Sequence, residues 1–267
     1  MSRGSGLRTV PRRLHAAAGG GTVGRGAEVL SGRSVSKRFG HICALDEVDV
    51  SVRAGEILAL VGDNGAGKST LIKILTGVIT ADDGELLIDG APMAMSTPID
   101  ARRLGIASVF QDFALVDCLD IATNLFLGEL PRRGVLVDRS LMDAEANEML
   151  RRMDVSVYSA RTPVGLLTAG HRQLIAIGRA VRSHPRVLVM DEPTAALGVS
   201  EKARVAAMIG RLKDEGKAMV LVSHDLQLVF DHADRIQVLR LGRTAGLRRR
   251  DETDRDEIVG LITGARE

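Results

Sequence analysis

Gly62-Asp63-Asn64-Gly65-Ala66-Gly67-Lys68-Ser69 fits the pattern G-x-x-x-x-G-K-[ST] in the setting that gives the pattern meaning. A strand-length apolar run, residues 57–61, precedes it, and Leu71, Ile72, Ile74 and Leu75 follow at helical spacing until Gly77 stops them. In a strand, loop and helix so ordered, glycines let the backbone curl close to phosphate and successive N–H groups point inward. The helix N-terminus adds a field that favours anions. The expectation is a phosphate-binding loop over residues 62–70. Gly62, Asn64, Gly65, Ala66, Gly67 and Thr70 form its cradle, Lys68 reaches the β and γ phosphates, and Ser69 ligates Mg²⁺.

Outward from this loop, residues 48–52 and 56–61 read as strands joined in a hairpin by Arg53-Ala54-Gly55. Residues 85–88 and 106–109 read as two more, separated by the turn Asp89-Gly90-Ala91-Pro92. The stretch 113–182 reads mainly as helices. Residues 186–190 and 218–222 are continuous apolar runs, as in strands buried on both faces of a parallel sheet, and each precedes a helical pattern, at 200–215 and 226–231. Strands alternating with helices predict an α/β fold, with an all-helical lobe inserted at about 113–182.

Val187-Leu188-Val189-Met190-Asp191-Glu192 is an apolar strand ending in two acids, and a buried strand delivers its terminal side chains to the ligand edge of the sheet. Asp191 suits the support of Mg²⁺. Glu192, one residue on, is placed to accept the proton of a water attacking the γ phosphate.

Composition narrows the remaining classes. The chain has 267 residues, 45% of them hydrophobic and 26% charged, which suits one globular unit, and an aromatic share of 2% leaves the core to aliphatic side chains. The 36 basic and 34 acidic residues nearly cancel, so charge gives no argument for a nucleic-acid surface. Cys43 and Cys118 stand apart without metal-ligand spacing and read as free, buried thiols. No run approaches the roughly 18 apolar residues that span a bilayer. Residues 1–30, with five arginines, one acid and seven glycines, read as a disordered basic extension, leaving 31–267 as the folded unit.

Several further motifs fall in one order, and over residues 31–264 the sequence resembles the ATP-binding-cassette family. Val109-Phe110-Gln111 looks like the family's Q-loop, in which Gln111 would touch Mg²⁺ and water. Leu167-Thr168-Ala169-Gly170-His171-Arg172-Gln173 stands where the family carries L-S-G-G-Q, departing from it at 168, 169 and 171. Thr168 keeps a hydroxyl and Gly170 the close backbone approach for the phosphate of a nucleotide held by a second cassette. Pro193-Thr194-Ala195-Ala196-Leu197-Gly198 resembles the D-loop, with glycine at 198 in place of its usual aspartate. Ser223-His224-Asp225 resembles the switch segment, in which His224 would bond the γ phosphate and the attacking water. Phe39, in Lys37-Arg38-Phe39-Gly40, stands where an aromatic ring stacks on adenine.

The resemblance implies a P-loop NTPase core with an antiparallel β subdomain and an inserted helical subdomain, with ATP and Mg²⁺ as ligands. It implies catalytic Glu192, His224 and Gln111, with Ser69, Gln111 and Asp191 on the metal. Residues 192–199, 110–112 with 124–128, and 233–242 look most like bacterial monosaccharide importer ATPases of the ribose, xylose and fructose type. The implied partners are transmembrane permease subunits, a substrate-binding protein at one remove, and a second cassette, either a copy of this chain or a similar ATPase. The implied place is the cytoplasmic face of the cell membrane. Two competing readings are a non-hydrolysing regulatory subunit, suggested by the altered signature and Gly198, and a soluble cassette protein that has no part in transport.

Overall fold

The computed structural model describes residues 26–155 and 159–266. The expected extension lies outside these residues except at its end, where regular structure already begins at Glu28, three residues before Ser31. The chain runs β1 (Glu28–Phe39), β2 (Ile42–Arg53), β3 (Ile57–Val61), α1 (Lys68–Leu75), β4 (Asp83–Ile88), β5 (Ala91–Pro92), α2 (Pro98–Arg103) and β6 (Ile106–Val109). It continues through α3 (Ile121–Leu125), β7 (Arg132–Arg133), β8 (Leu136–Val137), α4 (Arg139–Arg152), α5 (Ala169–Arg182) and β9 (Val187–Asp191). It closes with α6 (Val199–Asp214), β10 (Ala218–Val222), α7 (Leu226–His232), β11 (Arg235–Arg240), β12 (Arg243–Arg249) and α8 (Arg255–Thr263).

Two sheets organise these elements. The larger has the order β12-β11-β3-β10-β9-β6, parallel from β11 to β6 with β12 antiparallel at one edge. The smaller, β2-β1-β4-β5, is antiparallel. The central strands are apolar on both faces because each face has its own core. Ile57, Ala59 and Val61 of β3 join the cluster shared with α5, α6 and the helical lobe, while Leu58 and Leu60 join the one shared with α1 and the antiparallel sheet.

That double burial overturns the expected hairpin of residues 48–61. β2 alternates buried and exposed residues and pairs with β1, whereas every residue of β3 is buried and pairs in parallel with β10 and β11. The turn after β2 passes the chain from one sheet to the other. Ala91 and Pro92 are likewise not turn residues; they form β5, which pairs with β4 across the Asp89-Gly90 turn.

The inserted lobe is not all helix. Between α3 and α4 it carries the hairpin β7–β8, whose strands are two residues each. Its helices start where acidic caps fix them: Asp120 Oδ1 accepts from Thr123 N for α3, and Asp138 Oδ1 from Leu141 N for α4. Both cysteines are unpaired, but Cys118 is exposed in the loop before α3 and Cys43 is half-buried. Among the described residues no helix is long and apolar enough to cross a membrane.

Candidate nucleotide site

Three parallel neighbours bring the chemistry to one edge. Val222 of β10 faces Leu60 of β3 on one side and Asp191 of β9 on the other. The residues that follow, Gly62 onward, Ser223-His224, and Glu192, therefore emerge side by side at the carboxyl ends of the strands.

The loop 62–69 is held in a form only glycine permits at two of its positions. Gly62 has φ +151° and a Cβ there would lie 2.2 Å from the Leu239 carbonyl oxygen; Gly67 has φ +105° and its Cβ would lie 2.6 Å from that of Ala44. Gly67 caps α1, whose first turn carries Lys68, Ser69 and Thr70. Lys68 Nζ folds back to donate to the carbonyls of Gly62 (2.8 Å) and Asp63 (2.9 Å), so its charge sits over the mouth of the loop. Asn64 and Ser69 are exposed, and Ala66 is buried. A support not foreseen from sequence is Gly242, which donates to the Ala66 carbonyl at 3.1 Å and accepts from Asp46 N at 2.8 Å, bracing the loop from behind.

Beside the loop, Glu192 Oε2 lies 2.9 Å from His224 Nδ1. Glu192 has φ +51°, a left-handed conformation that costs a non-glycine residue about 1–2 kcal/mol and is held by Glu192 N donating to the Val222 carbonyl at 2.9 Å. Asp191 is half-buried. Burial, and then the neighbouring Glu192 charge, push its carboxyl above the usual range, against the opposing pull of Lys68 and Lys73.

Gln111 lies just past β6, the strand next to β9, and is exposed. The segment after it is tied to α5 by Arg179, which donates to the carbonyls of Phe113 (3.0 Å) and Ala114 (2.6 Å). No sequence motif marked this arginine. Phe39 stands at the tip of the β1–β2 hairpin, 49% exposed, with Lys37 Nζ 5.7 Å from its ring centroid. An aromatic ring left half in water is free to meet a planar base.

Thr168 and Gly170 are at the start of α5. Thr168 is the N-cap, its Oγ1 accepting from His171 N at 3.3 Å, and Gly170 N donates to Glu201 of α6 at 3.1 Å. Their side-chain partners are thus His171 and Glu201, in α5 and α6.

The profile of a family described as ABC transporter matches residues 45–195, from within β2 to just past β9. The chain is 44% identical over 236 residues to the ribose import ATP-binding protein RbsA 1 of Rubrobacter xylanophilus, covering 88% of this chain and 47% of that protein, so it spans about half the length of that relative. It is 39% identical over 247 residues to the fructose import ATP-binding protein FrcA of Rhizobium meliloti, covering 90% of this chain and 95% of that one. Among solved structures, a dimeric post-hydrolysis state of the ATP-binding cassette MJ0796, bound to ADP and Pi, superposes with a TM-score of 0.69 at 26% identity, over 82% of this chain and 98% of that one. A profile match across more than half of the chain, joined to a relative matched almost end to end, means that the chain belongs to the ABC transporter family.

Proposed function

We propose that this chain binds and hydrolyses ATP to drive a membrane importer, and that the importer carries a monosaccharide. The observation that carries the chemistry is the 2.9 Å contact of Glu192 with His224 beside the loop of Gly62 to Ser69. The backbone N–H groups of the loop and the start of α1 hold the β and γ phosphates, and Lys68 exchanges its own loop carbonyls for phosphate oxygens. Phe39 stacks on the adenine. Glu192 accepts the proton of the attacking water, and His224 fixes the carboxylate and reaches the γ phosphate.

The residues also fit Mg²⁺. Ser69, Asp191 and Gln111 are hard oxygen donors, and the raised Asp191 carboxyl is relieved by a cation. Such an ion takes few protein ligands and leaves the rest of its shell to phosphate and water. Bound there with ATP, it would neutralise charge developing on the phosphates.

Thr168 and Gly170 bond to residues of α5 and α6 and not to the loop of Gly62 to Ser69, which supports a working unit of two cassettes, each closing its α5 start over nucleotide held by the other. The second cassette is a copy of this chain or a similar ATPase, and the solved dimer bound to ADP and Pi supports the arrangement. The permease contact is assigned to residues 111–128, with a substrate-binding protein acting through the permease and no nucleic acid involved. The chain then sits peripherally on the cytoplasmic face of the membrane. The sugar assignment is supported by relatives named for ribose and fructose import.

The test is phosphate release from the subunit reconstituted with its permease in vesicles, with and without binding protein loaded with ribose, xylose or fructose. Release should rise several-fold with one of these sugars. Nucleotide binding with no turnover in the complete assembly would mean a regulatory subunit instead, and turnover indifferent to permease and sugar would rule out the transport role.

A further inference from the structure

One carboxylate joins the first turns of α5 and α6. Glu201 Oε1 accepts from Gly170 N at 3.1 Å and Oε2 from Gly198 N at 3.2 Å. The approach depends on Gly170, since a Cβ there would lie 2.7 Å from the Cβ, Cγ and Cδ of Glu201. Around it, His171 Nε2 lies 3.1 Å from Arg204 Nη1, and His171 Nδ1 lies 3.2 Å from Thr168 Oγ1. The Thr168 hydroxyl first, and then the Gly198 and Gly170 N–H groups, hold the Glu201 carboxyl below the usual range against the effect of burial. It is therefore an anion at neutral pH.

The start of a 14-residue helix attracts anions, and here the anion present is the protein's own. The next two donors of α5 are also taken from within: His171 N by Thr168 Oγ1 and Arg172 N by the Thr168 carbonyl. We infer that Glu201 is a positioning residue that stands in for phosphate, holding the Gly170 N–H in the resting subunit and surrendering it when a second cassette presents a nucleotide. This rests on the reading in which α5 of one cassette closes over ATP held by another. Each closure must break the Glu201–Gly170 bond and bring phosphate up to a carboxylate, so the contact opposes closure and favours the open, resting form. Gly198 offers no side chain to cap α6, and the Glu201 carboxylate accepting from Gly198 N makes one residue serve both helix starts.

Glu201→Asp separates this role from helix capping. At the same position of α2, the shorter Asp100 carboxylate reaches its own cap, accepting from Thr97 N at 3.1 Å. Aspartate at 201 therefore keeps the Gly198 bond but falls short of Gly170 as well. The experiment measures MgATP-driven pairing of purified full-length subunits by analytical ultracentrifugation, in a Glu192→Gln background that holds ATP unhydrolysed. Adding Glu201→Asp or Glu201→Gln should tighten pairing by at least about tenfold, the lower end of what one charge-assisted hydrogen bond contributes. A residue that merely caps α6 would leave pairing unchanged or weaken it, and that result in Glu201→Asp, with melting unaltered, overturns the inference. If the Glu192→Gln parent does not pair at all, the two-cassette reading falls and takes the inference with it. Pairing in the parent without tightening in the variants removes the inference alone.

Discussion

His224 Nδ1 and Glu192 Oε2 meet at 2.9 Å across the ends of two adjacent parallel strands, and the Glu192 side chain is largely buried while that of His224 is open to solvent. The inner carboxylate is held by the fold, and the outer imidazole can swing toward a phosphate. Glu192→Gln keeps the shape and removes the proposed base. Steady-state phosphate release should fall by about 10²–10⁴-fold while MgATP binding persists and dimers accumulate. Unchanged release would assign the base elsewhere.

The two loop glycines next to backbone carbonyls have a structural role. Gly62→Ala places a Cβ 2.2 Å from the Leu239 carbonyl of β11, so urea unfolding should show a loss of about 3 kcal/mol or more. Gly65 also has positive φ, +78°, but a Cβ there meets nothing within 4 Å. Gly65→Ala should cost only about 1–2 kcal/mol, from the backbone conformation alone. Equal losses in the two variants would contradict the packing of the loop on β11.

Phe39 is half exposed, so Phe39→Ala should leave the melting temperature unchanged. If the ring stacks on adenine, the affinity for ATP falls by about tenfold, within the range that one base–aromatic contact contributes. Fluorescent-nucleotide titration gives the comparison.

The helical lobe has a pH-sensitive anchor at Asp120. Burial opposes its charge, but the Thr123 hydroxyl and N–H and then Arg139 outweigh it and hold the carboxyl below the usual range. With the folded value depressed below 3.8, the stabilisation is present above that pH and fades as pH falls through the folded value. Asp120→Ala should cost about 1–2 kcal/mol at pH 7, the magnitude of a lost N-cap, and progressively less below pH 3.8. Thermal melts across that range measure it; a cost independent of pH would put the effect in packing.

The strand, glycine loop and helix of residues 57–75 and the acids closing β9 were legible because each rests on a local pattern: glycine spacing, an apolar run, a residue type at a strand end. What the sequence hid was pairing between distant segments. Arg53-Ala54-Gly55 is a good turn sequence, and nothing local says that it joins different sheets; only the five consecutive buried residues of β3 against the alternation in β2 hint at it. Thr97-Pro98-Ile99-Asp100 carries a capping-box signal for α2, a helix of six residues too short to show an apolar period. Gly242, Arg179 and Glu201 act through backbone partners 176, 66 and 31 positions away in the cases of Ala66, Phe113 and Gly170, and such contacts leave no periodic trace.

The most direct test is calorimetric titration of the full-length subunit with MgATP, alongside Lys68→Ala. Lys68 donates to two carbonyls of its own loop, so its removal should cost about 1 kcal/mol and lower the melting point by roughly 2–4 °C. The account predicts one nucleotide bound per wild-type chain and binding weakened by about 10- to 100-fold in the folded variant, the scale of lost charge-assisted hydrogen bonds. Folded wild-type protein that gives no binding heat, or a variant that binds as tightly, would contradict it.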